Sequence, residues 1–357
     1  MLKKDILDSF KGKRVAVTGG AGTVGGEIVK LLSSADLSDI RILDNNETAL
    51  YDAELDYSDI PHIRTFLCDI SHESVLRELF KNMDYVIHSA ALKHVPFCEV
   101  MPAEAINTNI LGVQSVINAA RTANVEKVMF TSSDKAVNPT NVMGTSKLMG
   151  ERLMTAANAL SVNGSQTVFA STRFGNVAGS AGSVVPTFSK QIANGGPITL
   201  TDREMSRYIM SLEESALLVL EALTLVKGGE VFVTKMPVVN IADLTEVMVE
   251  TLAPLFDQSA EDIEIKIIGS RPGEKMFEEL ITDEEIRRTI ELEDLLVVTP
   301  AARNIYSSIE YVYDGREPRP VDRVFNSSKE PLMNKDEIRE FLLLPNVLRE
   351  ELRKKLL

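Results

Sequence analysis

Acid–base residues cluster in the segment 132–147, and their spacing indicates proton-transfer chemistry. Asp134 and Lys135 are neighbours in the chain, and Lys147 lies in the helical pattern that follows them. One helical turn before Lys147, on the same helix face, stands Met143. A tyrosine there would be able to exchange a proton, and a methionine cannot. The segment therefore predicts a site in which Asp134 and Lys135 carry the acid–base chemistry.

A glycine-rich turn at 18–25 predicts a phosphate-binding site. Gly19, Gly22 and Gly25 let the turn be tight, let the backbone approach a pyrophosphate, and let the following helix pack close to the sheet. The phosphate would then meet the free N–H groups and the positive end of the helix dipole. Because Asp44 ends the next predicted strand, the turn favours a dinucleotide cofactor over its alternative, an ordinary strand–helix turn.

Asp44 also distinguishes between the two nicotinamide cofactors. A carboxylate at this position can accept hydrogen bonds from the adenosine ribose hydroxyls and would repel a 2′-phosphate. Asn45 and Asn46 follow it, so no Arg or Lys offsets that repulsion. The sequence therefore favours NAD over NADP. Asp69 and Ile70 are candidates for contacting adenine; in the alternative interpretation, Asp69 caps a helix.

The pattern of the first half predicts the elements that position these residues. Apolar runs alternate with amphipathic helical stretches, which is typical of βαβ units and a parallel sheet. Strands are predicted at 14–18, 40–44, 63–68, 85–88, 127–131 and 167–171, and the longest helices at 102–123 and 141–160. We therefore predict an α/β fold: a doubly wound Rossmann-type parallel sheet with a smaller C-terminal substrate-binding lobe.

The domain organisation is predicted from a change in the sequence pattern. Beyond about residue 179, the predicted elements become shorter and are separated by glycine-containing loops. We expect an NAD-binding Rossmann domain at 1–178. The stretch 179–345 is expected to form mainly the substrate-binding lobe, with segments that return to the first domain. Asn334 and Glu337 have the spacing of a capping box before a helix. A C-terminal amphipathic helix is predicted at 346–357.

Composition limits the classes of partner. A net charge of −14 over 357 residues argues against nucleic acid and anionic membranes as general partners. Cys68 and Cys98 make neither a disulfide framework nor a metal cluster, so we expect reduced thiols beside core strands and no metal site. Acidic residues near the N-terminus and the lack of a run of roughly 18 apolar residues argue against a signal peptide and a membrane span. We expect a cytoplasmic protein.

Further motifs follow one another along the chain in a distinctive order. They occupy residues 88–109, 134–144, 173–177, 182–186, 195–197, 205–207 and 271–275. Together they resemble the nucleotide-sugar 4,6-dehydratases of the polysaccharide-biosynthesis type, which belong to the extended short-chain dehydrogenase superfamily. The resemblance covers roughly residues 10–345 and includes that family's Met-for-Tyr variant at Met143. Residues 43–51 are more similar to the NAD-using members that retain the configuration at C5.

The resemblance implies a three-step reaction on a nucleotide-linked N-acetylhexosamine, with UDP-N-acetylglucosamine favoured and UDP or GDP left open. C4 is oxidised by NAD, water is eliminated across C5–C6, and the hydride returns to C6. By position Lys135 takes the C5 proton and Asp134 protonates the C6 hydroxyl. The O4 proton acceptor stays open between Ser133, Asp134 and a water relay. Lys147 is expected to bind the nicotinamide ribose, and Met143 to form an apolar wall.

The resemblance also implies two sets of binding residues. Those expected at the cofactor are Gly19, Gly22, Thr23, Val24, Gly25, Asp44, Asn45, Asp69, Ile70, Ala90, Ala91, Lys93 and Lys147. Those expected at the substrate are His94, Asn176, Val185, Arg207, Arg271 and Glu274. Arg207 and Arg271 are candidates for clamping the diphosphate, because guanidinium groups bind phosphate oxygens in pairs; their alternative is a surface ion pair. His88, which ends a core strand, is interpreted as structural.

Two other functions compete with the dehydratase. A C4-epimerase of the same superfamily would be expected to keep a tyrosine where Met143 stands. A dinucleotide-binding sensor without catalysis would explain Met143, but the presence of Asp134 and Lys135 argues against it. The superfamily also implies a homo-oligomer formed through long helices beside the sheet.

Overall fold

A computed structural model of the chain describes residues 1–159, 166–270, 273–302, 306 and 309–357. The chain forms two compact units, each built from three segments. The first unit consists of Met1–Arg173, Ala216–Lys235 and Ile281–Arg323, and the second of Phe174–Ser215, Met236–Leu280 and Val324–Leu357. Arg271 is outside the described residues.

The strands and helices are numbered in chain order across both units. The strands are β1 Arg14–Thr18, β2 Asp39–Asp44, β3 Ile63–Leu67, β4 Tyr85–His88, β5 Lys127–Thr131, β6 Val168–Arg173, β7 Asn176–Val177, β8 Ile198–Leu200, β9 Ser206–Met210, β10 Val231–Thr234, β11 Val238–Asn240, β12 Ile265–Ile267, β13 Thr289–Glu291, β14 Leu295–Val298 and β15 Arg319–Pro320. The helices are α1 Lys3–Asp8, α2 Thr23–Ser33, α3 Glu47–Asp56, α4 Glu73–Leu79, α5 Val95–Val100, α6 Pro102–Ile106, α7 Gly112–Thr122, α8 Val142–Ala159, α9 Val184–Ala193, α10 Leu212–Leu225, α11 Ile241–Leu252, α12 Asp283–Ile286, α13 Lys335–Leu342 and α14 Glu350–Leu356. Shorter turns are a π-helical turn at Asn107–Leu111 and 3₁₀ turns at Asp134–Ala136, Ala253–Phe256 and Ala260–Asp262.

The first unit is built on a ten-stranded sheet in the order β15-β13-β14-β10-β6-β5-β4-β1-β2-β3. The pairings from β3 to β10 are parallel, and β14, β13 and β15 are added antiparallel. The order β3-β2-β1-β4-β5-β6 is that of a Rossmann fold, in which ligands bind at the carboxyl ends of the strands. The predicted fold class is confirmed.

Burial of both faces explains the sequences of the central strands. Val86, Val128 and Phe130 alternate along β4 and β5 toward one face and pack with Val113 and Val116 of α7. A parallel sheet covered on both sides needs such apolar runs, since neither face meets water. The strand ends that carry polar residues therefore stand out as the part of the sheet available for chemistry.

The second unit has two small sheets, β11-β9-β7 and β12-β8. Apolar residues of α9, α11 and α13 form its core, with Phe188, Leu244, Met248 and Ile338 among the buried ones. The predicted capping box is confirmed, because the Asn334 side chain accepts from the backbone of Glu337 while the Glu337 carboxylate accepts from the Asn334 N–H. No helix among the described ranges has both the length and the apolar character needed to cross a bilayer.

Apart from shifts of one or two residues at the ends of strands and helices, three sequence predictions differ from the structure. The helix expected at 102–123 contains the π-helical turn at Asn107–Leu111. The C-terminal helix expected from residue 346 begins only at Glu350, because Asn346 has a φ of 64°, a left-handed conformation that a helix cannot contain. Cys68 follows β3 as expected, whereas Cys98 lies in α5 rather than beside a strand; both thiols are free and buried.

Candidate active site

The glycine turn after β1 forms a backbone cradle. Gly19 has a φ of 68°, and a Cβ at this position would lie 2.6 Å from the backbone N of Ala90 in the loop after β4. A Cβ on Gly25 would lie 2.1 Å from the Gly19 carbonyl oxygen. Gly22 precedes α2 in an extended conformation without a side-chain cap, and Thr23 and Val24 begin the helix. This cradle fits a pyrophosphate, which would bind the uncapped first-turn amides of α2.

Polar side chains continue from this cradle along the ends of β2 and β3. The Asp44 carboxylate accepts a hydrogen bond from the Ala21 N–H at 3.1 Å, so it lies against the glycine turn. Asn45 Nδ2 donates to Asp69 Oδ2 at 3.3 Å. The pKa of Asp69 is lowered mainly by hydrogen bonds from the backbone and side chain of Ser71. Asp69 is therefore ionised at neutral pH. Two carboxylates thus lie where the adenosine half of NAD is predicted.

The remaining residues predicted at the cofactor differ in how accessible their side chains are. Ile70 is buried in the core and packs so close to Gly112 that a Cβ there would lie 2.6 Å from it. Ala90 and Ala91 are half-buried in the loop after β4, and Lys93 is exposed. Ile70 can therefore offer only its backbone to a ligand, while the loop residues are open to one. Their roles at the cofactor stay predictions.

Ser133, Asp134 and Lys135 form a hydrogen-bonded cluster directly after β5. The Asp134 carboxylate is fully buried, and the Lys135 side chain is 31% exposed. Asp134 Oδ1 accepts from Ser133 Oγ at 2.7 Å, from the Lys135 backbone N–H at 2.9 Å and from Lys135 Nζ at 3.1 Å. A buried carboxylate is thus joined to a hydroxyl and to an ammonium that reaches the accessible side.

Met143 lies at the start of α8 and presents no proton-exchanging group. It is 3% exposed and packs in a small apolar cluster with Cys98 and Ala105. The next residue, Gly144, lets α8 approach the 3₁₀ turn, since a Cβ there would lie 2.1 Å from the Lys135 carbonyl oxygen. Met143 thus places an apolar side chain at the start of α8, next to the residue that lies against this turn, and its role as a wall of the site stays a prediction.

Lys147 is buried one turn further along α8. Its Nζ donates to the Thr131 carbonyl oxygen at 2.9 Å and lies 4.7 Å from the centre of the Phe130 ring. Burial lowers the pKa of Lys147 to about 8, and the negative charge of Glu151 opposes that shift. The ammonium is thus held at the carboxyl end of β5.

His88 has no part in this acid–base cluster. It is fully buried, and its Nδ1 shares a hydrogen bond of 2.7 Å with Thr18 Oγ1. Burial lowers the pKa of His88 to about 3, so the ring is neutral at physiological pH. These features support its interpretation as a structural residue that joins the ends of β1 and β4.

Asn109 organises the site and was not assigned a role from the sequence. Its Oδ1 accepts from the Leu92 N–H at 2.8 Å, and its Nδ2 donates to the Leu92 carbonyl at 2.9 Å and to Ser146 Oγ at 2.9 Å. Ser146 Oγ in turn donates to the Met143 carbonyl at 2.7 Å. The π-helical turn thus ties the loop after β4 to α8. The sequence did contain one indication of this role, because Asn109 is a polar residue at a helix position where the pattern favours an apolar one.

In the second unit, Arg207 anchors a neighbouring segment of chain. Its guanidinium contacts Glu278 Oε1 at 3.3 Å and donates to the carbonyl oxygens of Ser206 at 2.8 Å, Lys275 at 2.7 Å and Met276 at 3.3 Å. Its side chain is 12% exposed. Most of its donors are therefore already used inside the unit, and its contact with a diphosphate stays a prediction.

Glu278 is the centre of this cluster, and its sequence context gave no signal for it. Its Oε2 accepts from Asn176 Nδ2 at 2.8 Å and from the Tyr208 N–H at 3.2 Å. Asn176 is thereby brought close to Arg207, and the contact of both residues with the substrate stays a prediction. Val185 is buried in the core of the unit, and Glu274 is half-buried.

His94 belongs to the first unit, where it precedes α5, is exposed and contacts the Phe97 ring edge-on at 6.2 Å. Arg271 lies outside the described residues. Among the residues that are described, no cluster of three or more His, Cys, Asp or Glu side chains is arranged to hold a metal ion.

The chain is similar to known proteins over most of its length. A family model described as "Polysaccharide biosynthesis protein" matches residues 15–300. A protein called an uncharacterized membrane protein in Methanocaldococcus jannaschii is 47% identical over 339 residues, covering 95% of this chain and 98% of that protein. A UDP-glucose 4-epimerase of Rickettsia massiliae is 35% identical over 348 residues, covering 96% of this chain and 99% of the epimerase.

Solved structures share the fold. The X-ray structure of Pen from Bacillus thuringiensis is 38% identical, with a TM-score of 0.87 and coverage of 95% of this chain and 99% of Pen. A dTDP-glucose 4,6-dehydratase from Streptomyces venezuelae, crystallised with NAD, is 20% identical, with a TM-score of 0.64 and coverage of 74% of this chain and 86% of that enzyme. The second likeness concerns the fold alone.

Proposed function

Because the chain belongs to the polysaccharide biosynthesis protein family, we propose that it is an enzyme that transforms a nucleotide-linked sugar with NAD as its cofactor. The glycine cradle and the Asp44 carboxylate support NAD, since the cradle accommodates a pyrophosphate and the carboxylate favours an unphosphorylated ribose. The chemistry that a bound NAD supplies is hydride exchange with the sugar, from C4 and back to C6.

The reaction we infer is 4,6-dehydration of a nucleotide-linked N-acetylhexosamine, with UDP-N-acetylglucosamine as the first substrate to test. Dehydration needs an acceptor for the O4 proton, a base at C5 and an acid at O6. Ser133, Asp134 and Lys135 offer these three functions within one hydrogen-bonded cluster. The cluster therefore accounts for every proton transfer without a tyrosine.

Each proton that moves in the proposed reaction can be assigned to a residue of this cluster. The O4 proton passes through Ser133 to the Asp134 carboxylate, which the hydroxyl contacts at 2.7 Å. Asp134 then gives that proton to the departing C6 hydroxyl, which leaves as water. Lys135, whose partly exposed ammonium first releases a proton to solvent, then takes the C5 proton and returns it to C5 when C6 is reduced. Because one group removes and returns the proton, the configuration at C5 is retained.

The observation that carries this proposal is Met143 at the position one turn before Lys147. A 4-epimerase oxidises and re-reduces C4 and needs a base at O4 but none at C5. Here the wall beside the sugar is an apolar side chain, while an acid–base pair stands at the end of β5. That distribution of groups suits elimination better than epimerisation.

One experiment tests the assignment. Purified protein is incubated with UDP-N-acetylglucosamine, and products are followed by mass spectrometry and NMR. Dehydration predicts loss of one water and a methyl signal at C6, with NAD recycled and no accumulation of NADH absorbance. A 4-epimer of unchanged mass, or no turnover with either UDP- or GDP-linked sugars, would reject the proposal.

Epimerisation is the second candidate, because relatives such as the Rickettsia protein are called UDP-glucose 4-epimerases. It predicts interconversion of UDP-glucose and UDP-galactose without loss of mass. The same incubation therefore distinguishes the two candidates when UDP-glucose is added as a parallel substrate. We also propose that the protein is cytoplasmic and forms a homo-oligomer. Light scattering on the purified protein measures the mass of the assembly and so checks the second expectation.

A further inference from the structure

The buried ammonium of Lys147 lies against an aromatic ring. Lys147 is 6% exposed, and its Nζ lies over the Phe130 ring, 4.7 Å from the ring centre. The same Nζ donates to the Thr131 carbonyl oxygen at 2.9 Å, and no carboxylate in the described part of the chain forms an ion pair with it. Because a buried charge is costly unless neighbouring groups compensate it, the ring and one carbonyl are the contacts that stabilise this cation.

Glu151, one turn further along α8, does not supply such a contact. Its carboxylate accepts from Arg173 Nε at 3.1 Å and from Arg173 Nη2 at 2.7 Å. Arg173 also pairs with Glu285, at 3.0 Å. The carboxylate of Glu151 is therefore engaged by Arg173, and its charge acts on Lys147 only from beyond ion-pair distance.

The surroundings of Phe130 hold the ring in this position. Phe130 is 1% exposed and lies near the end of β5, where the His88 ring packs against it with the ring centres 5.5 Å apart. On α8, a Cβ at Gly150 would lie 2.8 Å from Cε1 and from Cζ of the Phe130 ring. A glycine within an 18-residue helix is unfavourable relative to alanine, and here the ring occupies the space that an alanine would need.

We propose that Phe130 is a positioning residue, whose ring holds the Lys147 ammonium at the carboxyl end of β5 for binding to the cofactor ribose. A cation over an aromatic ring is attracted by the negative face of the ring, and more strongly where water is excluded. The ring does so without placing a negative charge beside NAD, whose pyrophosphate is itself anionic. The inference rests on the proposed function, in which Lys147 contacts bound NAD.

Fluorination of the ring separates this role from core packing, because it weakens the negative face of the ring and nearly preserves its shape. Phe130 is replaced by para-fluorophenylalanine or by pentafluorophenylalanine, and the NAD affinity of the whole protein is measured by isothermal titration. Affinity should fall stepwise with fluorination, by about fivefold or more for the fully fluorinated ring. The matched control is the same pair of replacements at Phe169, which is buried in the same core and lies against Arg121 rather than Lys147. These should leave affinity near the native value.

A second measurement needs no replacement of the ring. In the native protein with isotope-labelled lysine, NMR should show the protons on Cε of Lys147 shifted upfield by the Phe130 ring current. Loss of this signal in Lys147→Met assigns it, and Phe130→Leu should remove the upfield shift. If the native protein shows no such signal, the proposal is overturned, even where the fluorinated proteins do not fold.

The outcomes distinguish this inference from the proposed function. Equal losses of affinity for replacements at Phe130 and Phe169 indicate packing alone and overturn the inference. Native affinity with pentafluorophenylalanine in place of Phe130, together with a loss in Lys147→Met, also overturns it and leaves the cofactor contact of Lys147 intact. Native affinity in Lys147→Met rejects that contact and this inference with it. Product formation is measured separately, so a protein that epimerises rather than dehydrates does not affect the test.

Discussion

At the scale of single residues, Asp134 and Lys135 form an ion pair, and the proposed reaction gives each of them a separate proton to move. Asp134→Asn removes the acid for the C6 hydroxyl, and Lys135→Met removes the base at C5. Each should lower turnover by about 10²-fold or more, the size of a lost acid–base catalyst. Lys81→Met, on an exposed lysine that pairs with Glu78, is the matched control. Steady-state rates with UDP-N-acetylglucosamine check this, and near-native rates in both variants would show that protons move elsewhere.

Substitutions at Met143 test whether the reaction would gain from a tyrosine at this position or uses other residues in its place. It is buried in a cluster with Cys98 and Ala105, so a phenol there must overpack the cluster or displace the sugar. Met143→Leu, similar in volume, should retain most turnover, whereas Met143→Tyr should not exceed the native rate. Initial rates under saturating sugar decide the matter. A several-fold gain for the tyrosine variant would mean that O4 still lacks a base and that the Ser133–Asp134 route is wrong.

At the scale of elements, the strands of the Rossmann half were predictable because their signals are local. The structure has β1, β4 and β5 with the predicted bounds, each an apolar run between turn residues. The π-helical turn was not predictable: it contains Asn109, which is hydrogen-bonded to Leu92, a partner 17 residues away in the sequence. The helical spacing of apolar residues does not depend on such a distant partner. The sequence therefore predicted one uninterrupted helix through the turn.

The same distinction applies to the site. The contact between Asp134 and Lys135 was predictable because adjacency in sequence places them in one turn. Glu278 and the Arg173–Glu285 pair were missed because their partners are distant, by 112 residues in the second case. A buried carboxylate is indistinguishable in sequence from a solvated one until the fold shows what surrounds it.

The glycine turn before α2 yields a prediction at this scale, because neighbouring glycines meet different surroundings. A Cβ on Gly25 would lie 2.1 Å from the Gly19 carbonyl oxygen, whereas one on Gly26 would meet the Gly20 oxygen only at 3.7 Å. Gly25→Ala should therefore shift α2 and weaken NAD binding by about tenfold or more, a cost of about 1.4 kcal/mol. Gly26→Ala should bind NAD normally and gain up to about 1 kcal/mol of stability from helix propensity. Isothermal titration and thermal unfolding measure both; equal losses of affinity in the two variants would contradict the cradle.

At the scale of the whole molecule, the stability of the first unit at low pH depends on which buried groups resist protonation. The Arg173 cation holds the pKa of Glu285 at about 2, against a usual value of 4.5, so its contribution is retained above about pH 4.5 and is lost only as the pH falls toward 2. His88 acts at higher pH, because burial lowers its pKa from 6.5 to about 3. The unfolded chain therefore binds a proton at this histidine below pH 6.5 while the folded chain does not, and folding is progressively disfavoured over that range.

This difference separates His88 from the other acid-sensitive groups between pH 7 and pH 5. A histidine that titrates at about 6.5 when unfolded and about 3 when folded removes about 2 kcal/mol of stability over these two pH units. His88→Asn keeps a polar group that can bond Thr18 but cannot take up the proton. Its free energy of unfolding, measured in urea at each pH, should fall between pH 7 and pH 5 by this amount less than that of the native protein. Any cost of the substitution that does not depend on pH cancels from this difference. His72→Asn, on an exposed histidine, should reproduce the native slope. Parallel declines for His88→Asn and the native chain would mean that the ring at the ends of β1 and β4 is protonated in the folded state, and its structural interpretation would fall.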